Sequence, residues 1–219
     1  MDKRHKEEVT FSIVIPTCER LEQVKTLLSS ITKSVDFVSD ECNCEIIVSD
    51  DGRNESTKFY LKNQASDVLW VQGPSKGPGA NRNNGVNYSK GKWIIFIDDD
   101  CYVEKDFIKQ YHKFTSTVSN SVLEGKIVCP DKSNSIFKRQ PENAQGGVLA
   151  SGNFAIRKDL FLEVDGFDED LLIMEDMEFA YRLKRLGHDF VFCENAVAFH
   201  PSQPKSLSYY WTWIFHFKW

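Results

Sequence analysis

Trp93-Ile94-Ile95-Phe96-Ile97-Asp98-Asp99-Asp100 sets five apolar residues directly against three carboxylates. A continuous apolar run of that length, rich in β-branched and aromatic residues, predicts a strand buried on both faces. Two further stretches are built the same way. Phe11-Ser12-Ile13-Val14-Ile15 leads into Pro16-Thr17-Cys18-Glu19-Arg20, and Glu45-Ile46-Ile47-Val48-Ser49 leads into Asp50-Asp51-Gly52. As parallel strands of one sheet, the three deliver their polar clusters to a single edge. In open α/β sheets, ligands bind at that edge, outside the carboxyl ends of the strands. Adjacent carboxylates there point to a divalent cation, which takes oxygen ligands and commonly holds a phosphate.

Outward from these strands the chain alternates strand and helix. Leu21, Val24, Leu27, Leu28 and Ile31 recur at helical spacing and stop before Asp36. Thr57 to Asn63 predicts a short helix, Asp67 to Val71 a third strand, and Ala80 to Tyr88 a polar helix. This alternation implies right-handed crossovers and a Rossmann-like, mainly parallel sheet flanked by helices, over about residues 9–103. From 104 to 201 the pattern is mixed: an amphipathic helix around Phe107, Ile108, Tyr111 and Phe114, then strands at Val122–Val128 and Phe154–Ile156. A helix over Lys158–Val164 follows, then one ending at Leu186 before Gly187, then strands at Phe190–Phe192 and Ala196–Phe199. Pro130 to Gly147 is a long polar loop, a kind that is often functional. The expectation is one domain over 1–219, with a tail from 202.

The balance of 27 basic against 32 acidic residues lacks the basic footprint of a nucleic-acid binder. Met1 to Glu8 is charged, with no apolar core of a signal peptide, and no apolar run reaches 18 residues. A cytoplasmic location with reduced thiols is therefore expected. Cys42 and Cys44 alone are two ligands where structural zinc needs four. The sequons at Asn54 and Asn87 then count as chance matches. The aromatic-rich segment Tyr209–Trp219 has three open readings: docking on the domain, peripheral contact with the inner face of a membrane, or the cut end of a longer chain.

Side-chain alternation puts Asp98 and Asp100 on one side and Asp99 on the other. A solvated acidic turn is the plain alternative, and the five apolar residues before it argue against that. Asp50-Asp51-Gly52 is equally ordinary turn chemistry. Gly77-Pro78-Gly79 lacks the third glycine of a dinucleotide loop, but Arg82 just beyond it can reach a phosphate. Asp176 opens the late helix as an N-cap, as a general base, or as both. His200, at the end of the last strand, is a structural histidine or a ligand for Mn²⁺.

Taken in order, these clusters resemble a family 2 glycosyltransferase of the GT-A fold. Ile15-Pro16-Thr17-Cys18-Glu19-Arg20 is similar to that family's Ile-Pro-Thr-aromatic-Asn-Arg, with Cys18 and Glu19 as departures. Val48-Ser49-Asp50-Asp51-Gly52, Asn81-Arg82-Asn83-Asn84-Gly85 and Asp98-Asp99-Asp100 match its next motifs. Asp106, Gly152 to Arg157, Gly166 to Glu169 and Glu175-Asp176 follow in the family's order. The resemblance implies an inverting hexosyltransferase, of the kind found in polysaccharide and cell-envelope biosynthesis. It would move a sugar from a nucleotide-sugar donor to a saccharide or lipid-linked acceptor, with UDP the expected nucleotide and dTDP and GDP alternatives.

By the same resemblance Pro16, Thr17, Arg20 and Asp51 would cradle the nucleotide, with Arg82 near the base or diphosphate and Asp99 on the ribose. Asp98, Asp100 and His200 would serve a divalent cation, Mn²⁺ or Mg²⁺. Asn153, Phe154 and Glu175 would line the sugar and acceptor side, Asp176 would be the base, and the Pro130–Gly147 loop a lid. A sugar nucleotidyltransferase is the rival enzyme, although Pro16 to Arg20 lacks the glycines of its loop. A non-catalytic nucleotide-sugar-binding module is the rival outside enzymes.

Overall fold

The computed structural model describes residues 8–115, 117–118, 121–135 and 137–204. Readings of the aromatic tail from Tyr209 lie outside these residues. The elements are β1 (Phe11–Thr17), α1 (Leu21–Phe37), β2 (Cys44–Asp50), α2 (Ser56–Gln64), β3 (Val68–Gln72), α3 (Pro78–Asn87), β4 (Trp93–Ile97) and β5 (Tyr102–Val103). They continue as α4 (Phe107–Thr115), β6 (Ser121–Val128), β7 (Lys138–Arg139), β8 (Asn153–Arg157), α5 (Lys158–Glu163), α6 (Glu175–Arg185), β9 (Asp189–Phe199) and β10 (Gln203–Pro204).

Among the described residues, eight strands form one sheet in the order β3-β2-β1-β4-β8-β6-β9-β5. The first four run parallel, so the three strand-end clusters do emerge together. β8 runs antiparallel to both β4 and β6, β9 runs parallel to β6, and β5 closes the edge antiparallel. The first half is therefore parallel and the second mixed, as the sequence predicts.

The apolar runs are buried on both faces because helices cover both. Ile13, Ile15, Ile95 and Ile97 pack with Val24, Leu27 and Ile31 of α1 and Phe107 and Tyr111 of α4. Their alternates Val14, Ile94 and Phe96 pack with Val86 of α3, Phe161 of α5 and Phe179 and Leu183 of α6. Phe96, Phe154, Phe161, Phe167 and Phe179 form one aromatic cluster, with ring centroids 4.9 Å apart for Phe96–Phe154 and 4.6 Å for Phe167–Phe179.

This corrects one expectation. Phe154 is fully buried in that cluster and presents no side chain to a sugar. Phe154→Ala should lower the unfolding free energy by about 3–5 kcal/mol in a urea titration, the cost of a large aromatic cavity. Were it instead a sugar-site residue, transfer would fall while stability held.

Several boundaries differ for physical reasons. α1 runs past Asp36 to Phe37 because its last turn docks on α4, where the buried Ser34 Oγ accepts the Ile108 N–H at 3.0 Å. The two predicted closing strands are one strand, β9. Its register on β6 jumps from Gly125↔Cys193 to Lys126↔Val197, so Glu194, Asn195 and Ala196 bulge, the first two into solvent. The Pro130–Gly147 loop is stitched to the chain beyond His200 through the β7–β10 ribbon. Asp131 also accepts the Ser202 N–H at 2.6 Å and its hydroxyl at 2.5 Å. These two Ser202 bonds hold the Asp131 carboxyl down at about 2. Cys42 and Cys44 are free thiols 4.0 Å apart, and among the described residues no third metal-ligating side chain joins them. No helix among the described residues is long and apolar enough to cross a membrane.

Candidate active site

A cleft of about 700 Å³ opens at the carboxyl ends of β1 and β2, against the start of α3. Pro16, Thr17, Arg20 and Asp51 all line it, together with the two departures Cys18 and Glu19. The adjacent aspartates of β2 divide their work. Asp50 is buried and closes the turn, accepting the Gly52 N–H at 2.8 Å. Asp51 faces the cleft and accepts the Ser75 N–H at 2.8 Å, and burial raises its carboxyl above the usual range.

The aspartate triplet splits as side-chain alternation predicts. Asp99 turns toward β1, where the Thr17 hydroxyl donates to it at 2.6 Å and Arg20 lies at 3.2 Å. Burial pushes Asp99 up to about 7, against the opposing effects of Arg20 and the Thr17 hydroxyl. Asp98 and Asp100 turn the other way, toward His200, with Nε2 at 4.0 Å from Asp98 Oδ2 and 3.2 Å from Asp100 Oδ1.

His200 Nδ1 lies 3.0 Å from the Pro201 carbonyl, which can only accept, so Nδ1 carries a proton and Nε2 is the ring atom turned toward Asp100. Asp100 Oδ1 is buried with no hydrogen-bond partner, while Asp100 Oδ2 is taken by Arg20 at 2.9 Å and by Gln203. The buried Asp100 Oδ1 needs a positive partner, either a proton on Nε2 or a metal ion, and a carboxylate oxygen beside an imidazole nitrogen is a donor pair that fits a divalent cation. Cys101 Sγ also lies within 4.8 Å of the Asp100 and His200 ligand atoms. It is packed in the core, however, and Mg²⁺ and Mn²⁺ prefer oxygen and imidazole over sulfur. Asp98 offers a carboxylate oxygen 4.0 Å from His200 Nε2.

Arg82, expected near the base or diphosphate, is 3% exposed, with Nη2 on Asp98 Oδ1 at 2.7 Å and Nη1 on Glu175 Oε1 at 2.8 Å. Burial works to raise Asp98, but Arg82, with His200 and Arg20, overrides it and holds the carboxyl below the usual range. Burial raises Glu175, which has Arg82 as a counter-charge and Asp176 beside it.

Glu175 and Asn153 are likewise withdrawn from the acceptor side. Glu175 is buried on Arg82. Asn153 is 1% exposed, accepting from the Tyr111 hydroxyl at 2.7 Å and donating to the Lys126 and Ala196 carbonyls.

Helix α3 contributes four polar residues in a row. Asn81 donates to the Thr17 and Ser49 carbonyls at 3.1 and 3.0 Å, and Asn84 to Ser49 Oγ and the Gln72 carbonyl. Between them, Arg82 reaches α6, and Asn83 exchanges two bonds with the backbone of Phe167.

Asp176 is not the cap of α6. The cap is Met174, in the left-handed region at φ 63°, and no side chain caps it. Asp176 sits in the first turn, half-buried, with Oδ1 accepting the Met177 N–H at 2.9 Å and Oδ2 3.4 Å from the Ser151 nitrogen. The next residue, Gly152, lies against Asp98: a Cβ there would stand 2.9 Å from Asp98 Oδ2. One peptide segment, Ser151–Gly152, thus touches both Asp176 and Asp98. Gln203 and Glu124, which support this region, were missed. Gln203 has no local signal, whereas Glu124 stands out as an acid inside an apolar strand.

A family model described as Glycosyl transferase family 2 matches residues 12–140. Glycosyltransferase AglE of Haloferax volcanii is 21% identical over 88% of this chain and 67% of its own length. The GalNAc(5)-diNAcBac-PP-undecaprenol beta-1,3-glucosyltransferase of Campylobacter jejuni is 34% identical over 41% of this chain and 29% of its own. The crystal structure of S. aureus TarS 1-349 in complex with UDP-GlcNAc aligns at a TM-score of 0.70 and 20% identity, over 90% of this chain and 60% of that one. That likeness carries the fold, the GT-A arrangement of a parallel nucleotide half and a mixed second half. Resting on the match over residues 12–140, the chain belongs to glycosyl transferase family 2.

Proposed function

We propose that this chain is an inverting glycosyltransferase that moves a sugar from a UDP-sugar to a hydroxyl of a saccharide or lipid-linked acceptor. The observation that carries the reading is the convergence of Asp98, Asp100 and His200 beside the β1–β2 cleft, with Asp176 one peptide segment away. The names of the relatives support the donor and acceptor classes: TarS was crystallised with UDP-GlcNAc, and the Campylobacter enzyme is named for an undecaprenol-linked substrate.

In this reading Thr17, Arg20 and Asp51 bind the nucleoside in the cleft. Asp98, Asp100 and His200 hold Mn²⁺ or Mg²⁺, which when bound supplies Lewis-acid stabilisation of charge on a leaving diphosphate. Arg20 stays bridged between Asp99 and Asp100 and so fixes the direction in which Asp100 Oδ1 points. Asp176 takes the proton of the acceptor hydroxyl as its oxygen attacks the anomeric carbon from the face opposite the diphosphate. One displacement forms the new C–O bond as the C–O bond to phosphate breaks, inverting the configuration. The Arg82–Glu175 ion pair anchors the first turn of α6.

The test is UDP release from UDP-GlcNAc and UDP-glucose with Mn²⁺, against a panel of monosaccharides and short-chain polyprenyl-diphosphate sugars. Asp100→Ala should lower the rate about a hundredfold, the scale of losing one electrostatic stabiliser. It should also weaken Mn²⁺ binding in a calorimetric titration. Equal rates for Asp100→Ala and wild type would overturn the metal assignment. UDP binding with no turnover on any acceptor would favour a binding module instead.

A further inference from the structure

Glu124 sits in the middle of β6, between β8 and β9, and is 1% exposed. A carboxylate inside a sheet is costly unless its oxygens are satisfied. Both oxygens are used, and on one short stretch: Oε2 accepts the Gly147 N–H at 2.6 Å and Oε1 accepts the Leu149 N–H.

That stretch needs holding. Gly146, Gly147 and Leu149 all have positive φ, at 75°, 91° and 46°. For glycine this is ordinary, but a fully buried leucine does not adopt it unforced. Leu149 leads at once into Ser151 and Gly152, the segment that touches Asp176 Oδ2 on one side and Asp98 Oδ2 on the other.

We propose that Glu124 is a positioning residue for sugar transfer, whose carboxylate clamps the Gly147–Leu149 backbone and thereby fixes the Ser151–Gly152 segment between the base and the metal-side aspartate. The proposal rests on the functional reading above and deepens it. Only a carboxylate offers two acceptors to two N–H groups here. Glutamine keeps the shape but turns an NH₂ toward one of the donors, leaving that N–H without an acceptor. The nucleoside cleft is lined by residues of β1, the β1–α1 and β2–α2 turns, the β3–α3 loop and the start of α3, and by none of the Gly147–Gly152 stretch.

The experiment compares full-chain wild type, Glu124→Gln and Gly147→Ala on the donor–acceptor pair that wild type turns over best in the panel above. Each is also titrated calorimetrically with UDP and Mn²⁺. A Cβ at Gly147 meets nothing within 4 Å, so alanine disturbs only the strained backbone and leaves the core intact. Both variants should lose about ten- to a hundredfold in kcat, the scale of an ångström-level misplacement of reacting groups. UDP affinity should stay within about twofold.

A folded Glu124→Gln with wild-type kcat overturns the proposal, as does one whose UDP affinity falls in step with its rate. If Glu124→Gln does not fold, Gly147→Ala decides, and a wild-type kcat there is equally fatal. A wild-type chain that transfers no sugar at all overturns the functional reading instead.

Discussion

Asp176→Asn should lower sugar transfer by about 10²- to 10⁴-fold, the usual worth of a positioned general base, while leaving UDP affinity and stability close to wild type. The substitution is nearly isosteric. Asparagine keeps one oxygen to accept the Met177 N–H, so the first turn of α6 should hold its shape. What disappears is the capacity to take a proton from an attacking hydroxyl. The 3.4 Å approach of Ser151 N to Oδ2 is too long to anchor the fold, so little stability is tied to that oxygen. Rates from UDP-release assays, set beside calorimetric UDP titrations and thermal unfolding, separate the possibilities. A variant with unchanged turnover would remove Asp176 from the mechanism.

Arg82→Met should cost about 3–5 kcal/mol of stability, because removing one partner of a buried ion cluster leaves the others uncompensated. Here two carboxylates lose their counter-charge at once, Asp98 at 2.7 Å and Glu175 at 2.8 Å. Glu175 is the more severely affected, since its side chain is 9% exposed against 27% for Asp98, and no other cation pairs with it among the described residues. The guanidinium also sits over the Phe167 ring at 5.6 Å, a contact the thioether replaces only in part. Arg82→Met combined with Glu175→Leu should recover part of the loss, because the stranded charge is gone. Urea unfolding of both variants checks this. A single-variant loss below about 1 kcal/mol, the scale of an exposed pair, would mean the cluster is far better hydrated than its burial indicates.

How much of this was legible in the chain depends on the range of the contacts. The three strand-end clusters were plain because long apolar runs break abruptly into polar residues, and the parallel pairing then brings those breaks together. The opposed directions of Asp98 and Asp99 followed from alternation alone. Arg82 was legible as a helix residue near the site but not as an ion-pair partner, because Glu175 lies 93 residues away and no local pattern links them. Asn153 and Phe154 stand where the resemblance puts sugar contacts. Burial of β8 between β4 and β6 turns both into core residues, a fact of sheet order rather than of motif. The bulge in β9 looked like a strand break because its polar residues are those that leave the ladder. Glu124 was the one missed residue with a visible signal, an acid inside a continuously buried stretch of strand, where an unpartnered charge is costly.

Four adjacent side chains of α3 bond in turn to β1 and β2, to α6, to the Phe167 backbone, and to β2 and β3. The consequence concerns modularity. Chimaeras that graft residues 104–204 of this chain onto the front half of a relative must inherit a matching Arg-Asn at 82 and 83, the two of the four that reach Glu175 and Phe167. A cut near residue 103 divides the chain in sequence without dividing it into parts that can be traded freely.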